Sequence, residues 1–264
     1  MKVISSRSNA LVRALLKLRN SARERRERKS ALLDGIRLVA AYVERCGTPR
    51  AVILAPDAAA NAEIRALLGK FPSVEPVVLT HSLYGALSSV TTPTGIVAEI
   101  SIPTMPQATS GAAWCVLVED VQDPGNLGSI LRSAAAAGVK HVLLSKGCAD
   151  AWSPRVLRAG MGAHFSVCVQ EQVDLVGFAR AFRGQVVAAS STAERTVFDV
   201  DFTRPTALAL GNEGSGLSQE LQAEADVVAG IPMPGDAESL NVAAAAAVCL
   251  FERVRQLTAL RRAK

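Results

Sequence analysis

The sequence predicts an α/β protein in two parts: a C-terminal, mostly parallel sheet with helices on both faces, and a smaller N-terminal α/β domain. Three observations carry this. Apolar strand-like runs alternate with amphipathic helical stretches along most of the chain. Hydrophobic residues make up 49% and charged residues 20% of 264 positions, which excludes global disorder and allows a large core. Residues 101–111, SIPTMPQATSG, carry no charge and are rich in Pro, Ser and Thr, so they read as a linker between domains at 1–100 and 112–264.

The elements follow in order. Residues 9–20, NALVRALLKLRN, place Leu11, Leu15, Leu16 and Leu18 near helical spacing behind Ser8 or Asn9 as a cap. Residues 35–45 form a second helix, and 51–55 (AVILA) a buried strand. A helix over about 60–68 and strands at 74–80 and 95–100 complete the small domain. In the larger domain, strands at 114–120, 141–145, 165–170, 185–190, 206–211 and 227–233 alternate with helices at 127–138, 153–160 and 175–183. A long Ala-rich helix runs from about Ser239 to the C-terminus.

The formal net charge of +5 is unevenly spread. The first 30 residues hold ten Lys/Arg and two Glu, or +8, and the other 234 hold 19 basic and 22 acidic residues, or −3. A basic N-terminal arm bearing Arg7, Asn9, Arg13, Lys17, Arg23 and Arg26 suits a polyanion, with affinity that falls as salt rises. A solvated helix face is the alternative. Aromatic content of 4% is poor for stacking on RNA bases. No apolar run reaches the ~18–20 residues that span a bilayer, and MKVISSRSNA has no secretory h-region, so a cytoplasmic protein is expected. The five cysteines are scattered and form no metal-ligand spacing, so no metal is expected.

Three segments look like chemistry. In QDPGNLGSILRSAAAAG (122–138), a helix begins where a parallel strand ends, which is where α/β sheets bind ligands and anions. Asn126 and Arg132 lie six residues apart at and beyond the start of this helix. Spacing alone leaves open a plain N-cap at Asn126 and a snorkelling surface arginine at Arg132. In LALGNEGSGLS (208–218), Gly211, Gly214 and Gly216 let backbone approach a ligand, and Glu213 disfavours a triphosphate. In IPMPGDAESLNVAAAAA (231–247), a Pro-rich turn delivers Ser239 and Asn241 to the mouth of the last helix. His81, His141 and His164 share no motif, and Trp114 and Trp152 read as packing residues.

Together these segments resemble the three signature motifs of the SpoU (TrmH-like) branch of the SPOUT RNA methyltransferases. Asn126, Gly128, Ile130 and Arg132 resemble the first, Leu210 to Gly216 the second, and Ile231-Pro232-Met233 through Ser239-Leu240-Asn241-Val242 the third. The likeness covers about 112–260. Residues Ile4 to Asn9 and the Asp34-Gly35 turn are similar to the substrate-binding domain of several members, although relatives more often carry Glu at position 34. At Ala243 many relatives carry Ser, so a hydroxyl role is absent there.

The resemblance implies a deep trefoil knot, an L30e-like N-terminal RNA-binding domain, and a homodimer built on the first and last helices. It implies S-adenosyl-L-methionine held by Leu210, Gly211, Asn212, Gly214, Ile231, Met233, Ser239 and Leu240. It implies methyl transfer to a ribose 2′-hydroxyl, in ribosomal RNA more than transfer RNA, with Arg132, Asn126, Glu213, Ser239 and Asn241 at the reacting centre. A non-catalytic RNA-binding protein is the rival of another class, and it would not require these five residues together.

Overall fold

The computed structural model describes residues 2–90 and 92–262 and divides into two units. The first comprises residues 1–104 and 152–165, and the second 105–151 and 166–264. The second unit therefore sends a short excursion of chain into the first.

The first unit holds a five-stranded mixed sheet of order β1-β4-β3-β5-β2. Its strands are β1 (Lys2–Ile4), β2 (Ser30–Asp34), β3 (Ala51–Leu54), β4 (Val77–Leu79) and β5 (Ile96–Ser101). The pairs β1–β4 and β3–β4 are parallel, and β3–β5 and β2–β5 antiparallel. Helix α1 (Ala10–Asn20) starts at Asn9, whose side chain accepts from the Leu11 N–H at 2.9 Å. Its Val12, Leu15 and Leu18 pack with Leu83, Tyr84 and Leu87 of α5 (His81–Leu87) over the sheet.

The first 30 residues are therefore not an appended arm. Ile4, Val12, Leu15 and Leu18 are part of the core, and removing the segment would take β1 and α1 with it. Helix α2 (Ala22–Arg28) explains why the sequence hides it: its one buried residue is Arg25, at 4% exposure. The Arg25 guanidinium donates to the Leu18 and Arg19 carbonyls at the end of α1, satisfying acceptors a helix end leaves open. No apolar periodicity marks such a helix.

The remaining helices of this unit are α3 (Ile36–Cys46), α4 (Ala62–Leu68) and α7 (Pro154–Gly160). Helix α7 packs against β2, and Tyr42 meets Phe165 edge to face at 5.4 Å.

The second unit is a six-stranded sheet of order β11-β9-β10-β6-β7-β8, parallel at every pairing. The strands are β6 (Trp114–Val118), β7 (His141–Leu144), β8 (Cys168–Gln170), β9 (Gln185–Ala189), β10 (Thr206–Leu210) and β11 (Val227–Ala229). The chain runs outward through β6, β7 and β8 and then returns to the other side of β6, so the strand order reverses between β6 and β10. The strand expected over 165–170 is shorter, because 163–165 form a 3₁₀ turn within the first unit. Helices α8 (Leu175–Ala181) and α9 (Gln219–Ala223) help bury Cys115, Leu117, Ala207 and Ala209. The long helix α10 (Val242–Arg262) packs on α6 (Pro124–Ala136). Among the described residues no helix is long and apolar enough to cross a membrane.

Candidate active site

The site lies at the carboxyl ends of β6, β9, β10 and β11, where the strand order of a parallel sheet reverses and loops diverge to leave a crevice. Helix α6 begins one turn earlier than the sequence suggests. Asp123 is its N-cap, accepting from the Asn126 N–H at 2.8 Å, and Pro124 fills the first turn. That division of labour releases the Asn126 side chain from capping.

Both ends of the Asn126 amide are engaged. Its Nδ2 donates to Glu213 Oε1 at 2.7 Å, and its Oδ1 accepts from Asn241 Nδ2 at 2.9 Å. Asn241 Oδ1 in turn accepts from the Ala243 N–H at 3.0 Å, tying the chain of bonds to the first turn of α10. Residues 87 and 115 positions from Asn126 are thus joined through one carboxamide.

The glycine loop after β10 is closed on itself. Asn212 and Gly216 exchange backbone bonds at 2.9 and 3.0 Å, and Asn212 Oδ1 accepts from Gly214 N at 2.8 Å. A Cβ at Gly211 would stand 2.2 Å from the Gly216 carbonyl carbon, so only glycine fits.

A cavity of about 440 Å³ opens beside this loop. Leu210, Gly211, Asn212, Gly214, Ile231, Met233, Ser239 and Leu240, named from sequence, all line it, as does Glu213. Asn126 and Asn241 reach it through Glu213. Arg132 does not line it: the residue is exposed on α6 and makes no hydrogen bond or ion pair among the described residues.

Ala189 at the end of β9, with Ser190, Ser191 and Thr192 after it, forms a wall that the sequence does not single out. A small polar run following a buried strand was the available signal. Cys249 also lines the cavity; burial pushes its thiol up to about 12, so it stays protonated and is no nucleophile.

Of the basic residues expected to face a polyanion, Arg7, Arg13 and Arg26 are exposed. Lys17 lies 3.6 Å from Glu24 and Arg23 2.6 Å from Glu27, so part of their charge is compensated. Asn9 serves as the cap of α1.

Fold and site together define a small-molecule-binding α/β enzyme whose cavity is walled by the segments that follow three parallel strands, β9, β10 and β11, and by the start of α10. The chain belongs to the SpoU rRNA Methylase family, which it matches over residues 113–251. It is 33% identical to an uncharacterized tRNA/rRNA methyltransferase of Synechocystis sp., over 96% of this chain and 93% of that protein. It is 30% identical to the 23S rRNA (guanosine(2553)-2′-O)-methyltransferase RlmP of Bacillus subtilis, over 95% of this chain and 98% of that protein. The crystal structure of the SpoU methyltransferase AviRb from Streptomyces viridochromogenes in complex with AdoMet superposes with a TM-score of 0.81 at 30% identity, covering 95% of this chain and 98% of that one.

Proposed function

We propose that this protein transfers the methyl group of S-adenosyl-L-methionine to a ribose 2′-hydroxyl of ribosomal RNA in the cytoplasm. The observation that carries this reading is the Glu213–Asn126–Asn241 chain beside a cavity lined by strand-end backbone.

The residues present fit the cofactor. At about 440 Å³ the cavity lies in the range that holds nucleoside-sized ligands. Leu210, Ile231, Met233 and Leu240 would hold an adenine between apolar walls. The backbone of Gly211 and Gly214 would reach its polar edge and ribose, since neither residue interposes a side chain. Glu213 supplies negative charge suited to a cationic ligand. When bound, S-adenosyl-L-methionine supplies an electrophilic methyl group on a sulfonium.

The protein's own task is then to align the hydroxyl and to stabilise the charge it develops. Asn126, Ser239 and Asn241 shape the mouth of the cavity and hold the target ribose. Arg132 stands exposed, where it would take an RNA phosphate and steady the developing alkoxide. A guanidinium remains charged throughout, so it is a poor proton acceptor, and the hydroxyl proton passes to solvent water at the open mouth of the site.

The first unit would grip RNA through Arg7, Arg13 and Arg26, helped by Lys17 and Arg23. The reading extends to a trefoil knot in the second unit and to a homodimer on α6 and α10. The single bond from Asn241 to Asn126, which draws the segment after β11 to the start of α6, supports the first, and Phe251, exposed on α10 at 47%, supports the second.

The test is transfer of tritiated methyl from S-adenosyl-L-methionine to unmodified 23S transcript, with 2′-O-methyl positions mapped by resistance to alkaline cleavage. A single ribose-methylated nucleotide is expected. Methylation of transfer RNA alone would reassign the substrate, and absence of cofactor binding by calorimetry would end the proposal.

A further inference from the structure

Glu119, the first residue beyond β6, belongs to none of the three motifs. Its carboxylate is half-buried and wholly committed to one partner across 99 residues of sequence. Oε2 accepts from the Ser218 N–H at 2.7 Å, and Oε1 accepts from the Ser218 hydroxyl at 2.7 Å. Ser218 closes the glycine loop and caps α9, its Oγ accepting from Leu221 N at 3.2 Å.

The neighbouring backbone holds the loop's other end. The Glu119 N–H donates to the Leu210 carbonyl at 2.9 Å, and the Asp120 carbonyl accepts from Asn212 Nδ2 at 2.8 Å. Asp120 adopts φ +53°, a left-handed conformation uncommon for a residue with a side chain, and this turns the chain at the end of β6. Residues 211–217, all of which line the cavity, are thereby fastened at both ends to the same two residues. The fastened loop also carries Glu213, the partner of Asn126.

We propose that Glu119 is a positioning residue: its two-point clamp on Ser218 presets the cavity wall for the cofactor and fixes Glu213 against Asn126. A charge-assisted pair of bonds to one residue limits the loop more than either bond alone, because it restricts rotation as well as distance. Preset loops bind more tightly because less freedom is lost on binding. The inference rests on the proposed function for the identity of the ligand.

The experiment compares Glu119→Ala, Glu119→Gln and Ser218→Ala in the full chain. Binding is measured by calorimetry with S-adenosyl-L-methionine, and loop order by amide hydrogen exchange without ligand. Glu119→Ala is expected to raise the cofactor dissociation constant at least about tenfold and to speed exchange over 211–218, with β6 and β10 still protected. The cofactor KM rises more than kcat falls. Glu119→Gln restores most of the loss, because its Oε1 accepts from the Ser218 N–H while its Nε2 donates to Ser218 Oγ. Ser218→Ala, which removes one bond of the two and leaves a small side chain, is intermediate.

Unchanged exchange over 211–218 in Glu119→Ala overturns the clamp, and so does unchanged cofactor affinity. Equal losses in the Gln and Ala variants overturn it as well. If the unsubstituted protein takes up no S-adenosyl-L-methionine, the reading of the cavity fails, and the exchange comparison still decides the clamp.

Discussion

In the first unit, Arg7, Arg13 and Arg26 are exposed at separate positions. In the second, Asn126 is hydrogen-bonded to Glu213 on one side and to Asn241 on the other, so each position depends on its neighbour. The first arrangement draws its residues from 20 consecutive positions and asks only that they stay charged and solvated. The second draws three residues from a helix start and two loops far apart in sequence, and asks that distances be held to fractions of an ångström. Additive charges tolerate loss one at a time, whereas a hydrogen-bonded chain fails at any link.

The largest effect should come from the residue that stands between these regimes. Arg132→Ala is expected to lower methyl transfer by ~10²–10³, the cost of removing one stabiliser of developing charge, while calorimetry shows cofactor binding intact. Equal loss of both would assign Arg132 to the cavity instead. Next comes Asn126→Asp, which sets a carboxylate against Glu213 where a donor stood at 2.7 Å. Turnover should fall by roughly tenfold to a hundredfold, and raising the pH should not restore it. A neutral result would show the chain of bonds to be incidental.

The contrasting test replaces Arg7, Arg13 and Arg26 by Ala together. RNA affinity should weaken in even steps, with the log–log salt slope reduced by roughly 2–3 for three lost phosphate contacts. A slope unchanged in filter binding would detach these residues from RNA, and a loss concentrated in one of them would make this surface resemble the other site.

The smallest effect concerns the far end of α10. Glu252 accepts from Arg255 at 2.7 and 2.8 Å and from Gln256 at 2.7 Å, while Gln256 bonds to Val200 and Phe202. The Arg255 hydrogen bond, joined by that from Gln256, holds the Glu252 carboxyl below its ordinary 4.5. A carboxyl lowered in the folded state stabilises the fold above its unfolded value, and that contribution fades as the pH falls below about 4.5. Glu252→Gln should cost about 1–2 kcal/mol near neutrality and flatten this acid limb, as followed by thermal unfolding against pH.

The contrast also explains what could be read from the sequence. The parallel sheet was legible because its strands are continuous apolar runs, and the cavity-lining residues because they follow those runs as Gly, Pro and Ser clusters. Asn9 announced its cap. Helix α2 was silent because a buried arginine replaces the apolar stripe, and β1 and α9 because they span only three and five residues. The Asp123-Pro124 pair carries the cap of α6 as a local pattern, whereas the partners of the freed Asn126 amide are set only in three dimensions. The pairing of Glu119 with Ser218 left no local pattern to read.

The excursion of 152–165 bears on how the chain is made. The first unit is not complete when residue 104 is synthesised: β2 lacks α7 against it, and Tyr42 lacks Phe165. Both β6 and α6 emerge from the ribosome before those partners do. The first unit can therefore reach its full set of contacts only once residue 165 has emerged, by which point β6, α6 and β7 have also left the ribosome. Nascent chains halted before residue 165 has emerged should leave β2 and α3 open to protease, and chains halted after it should not.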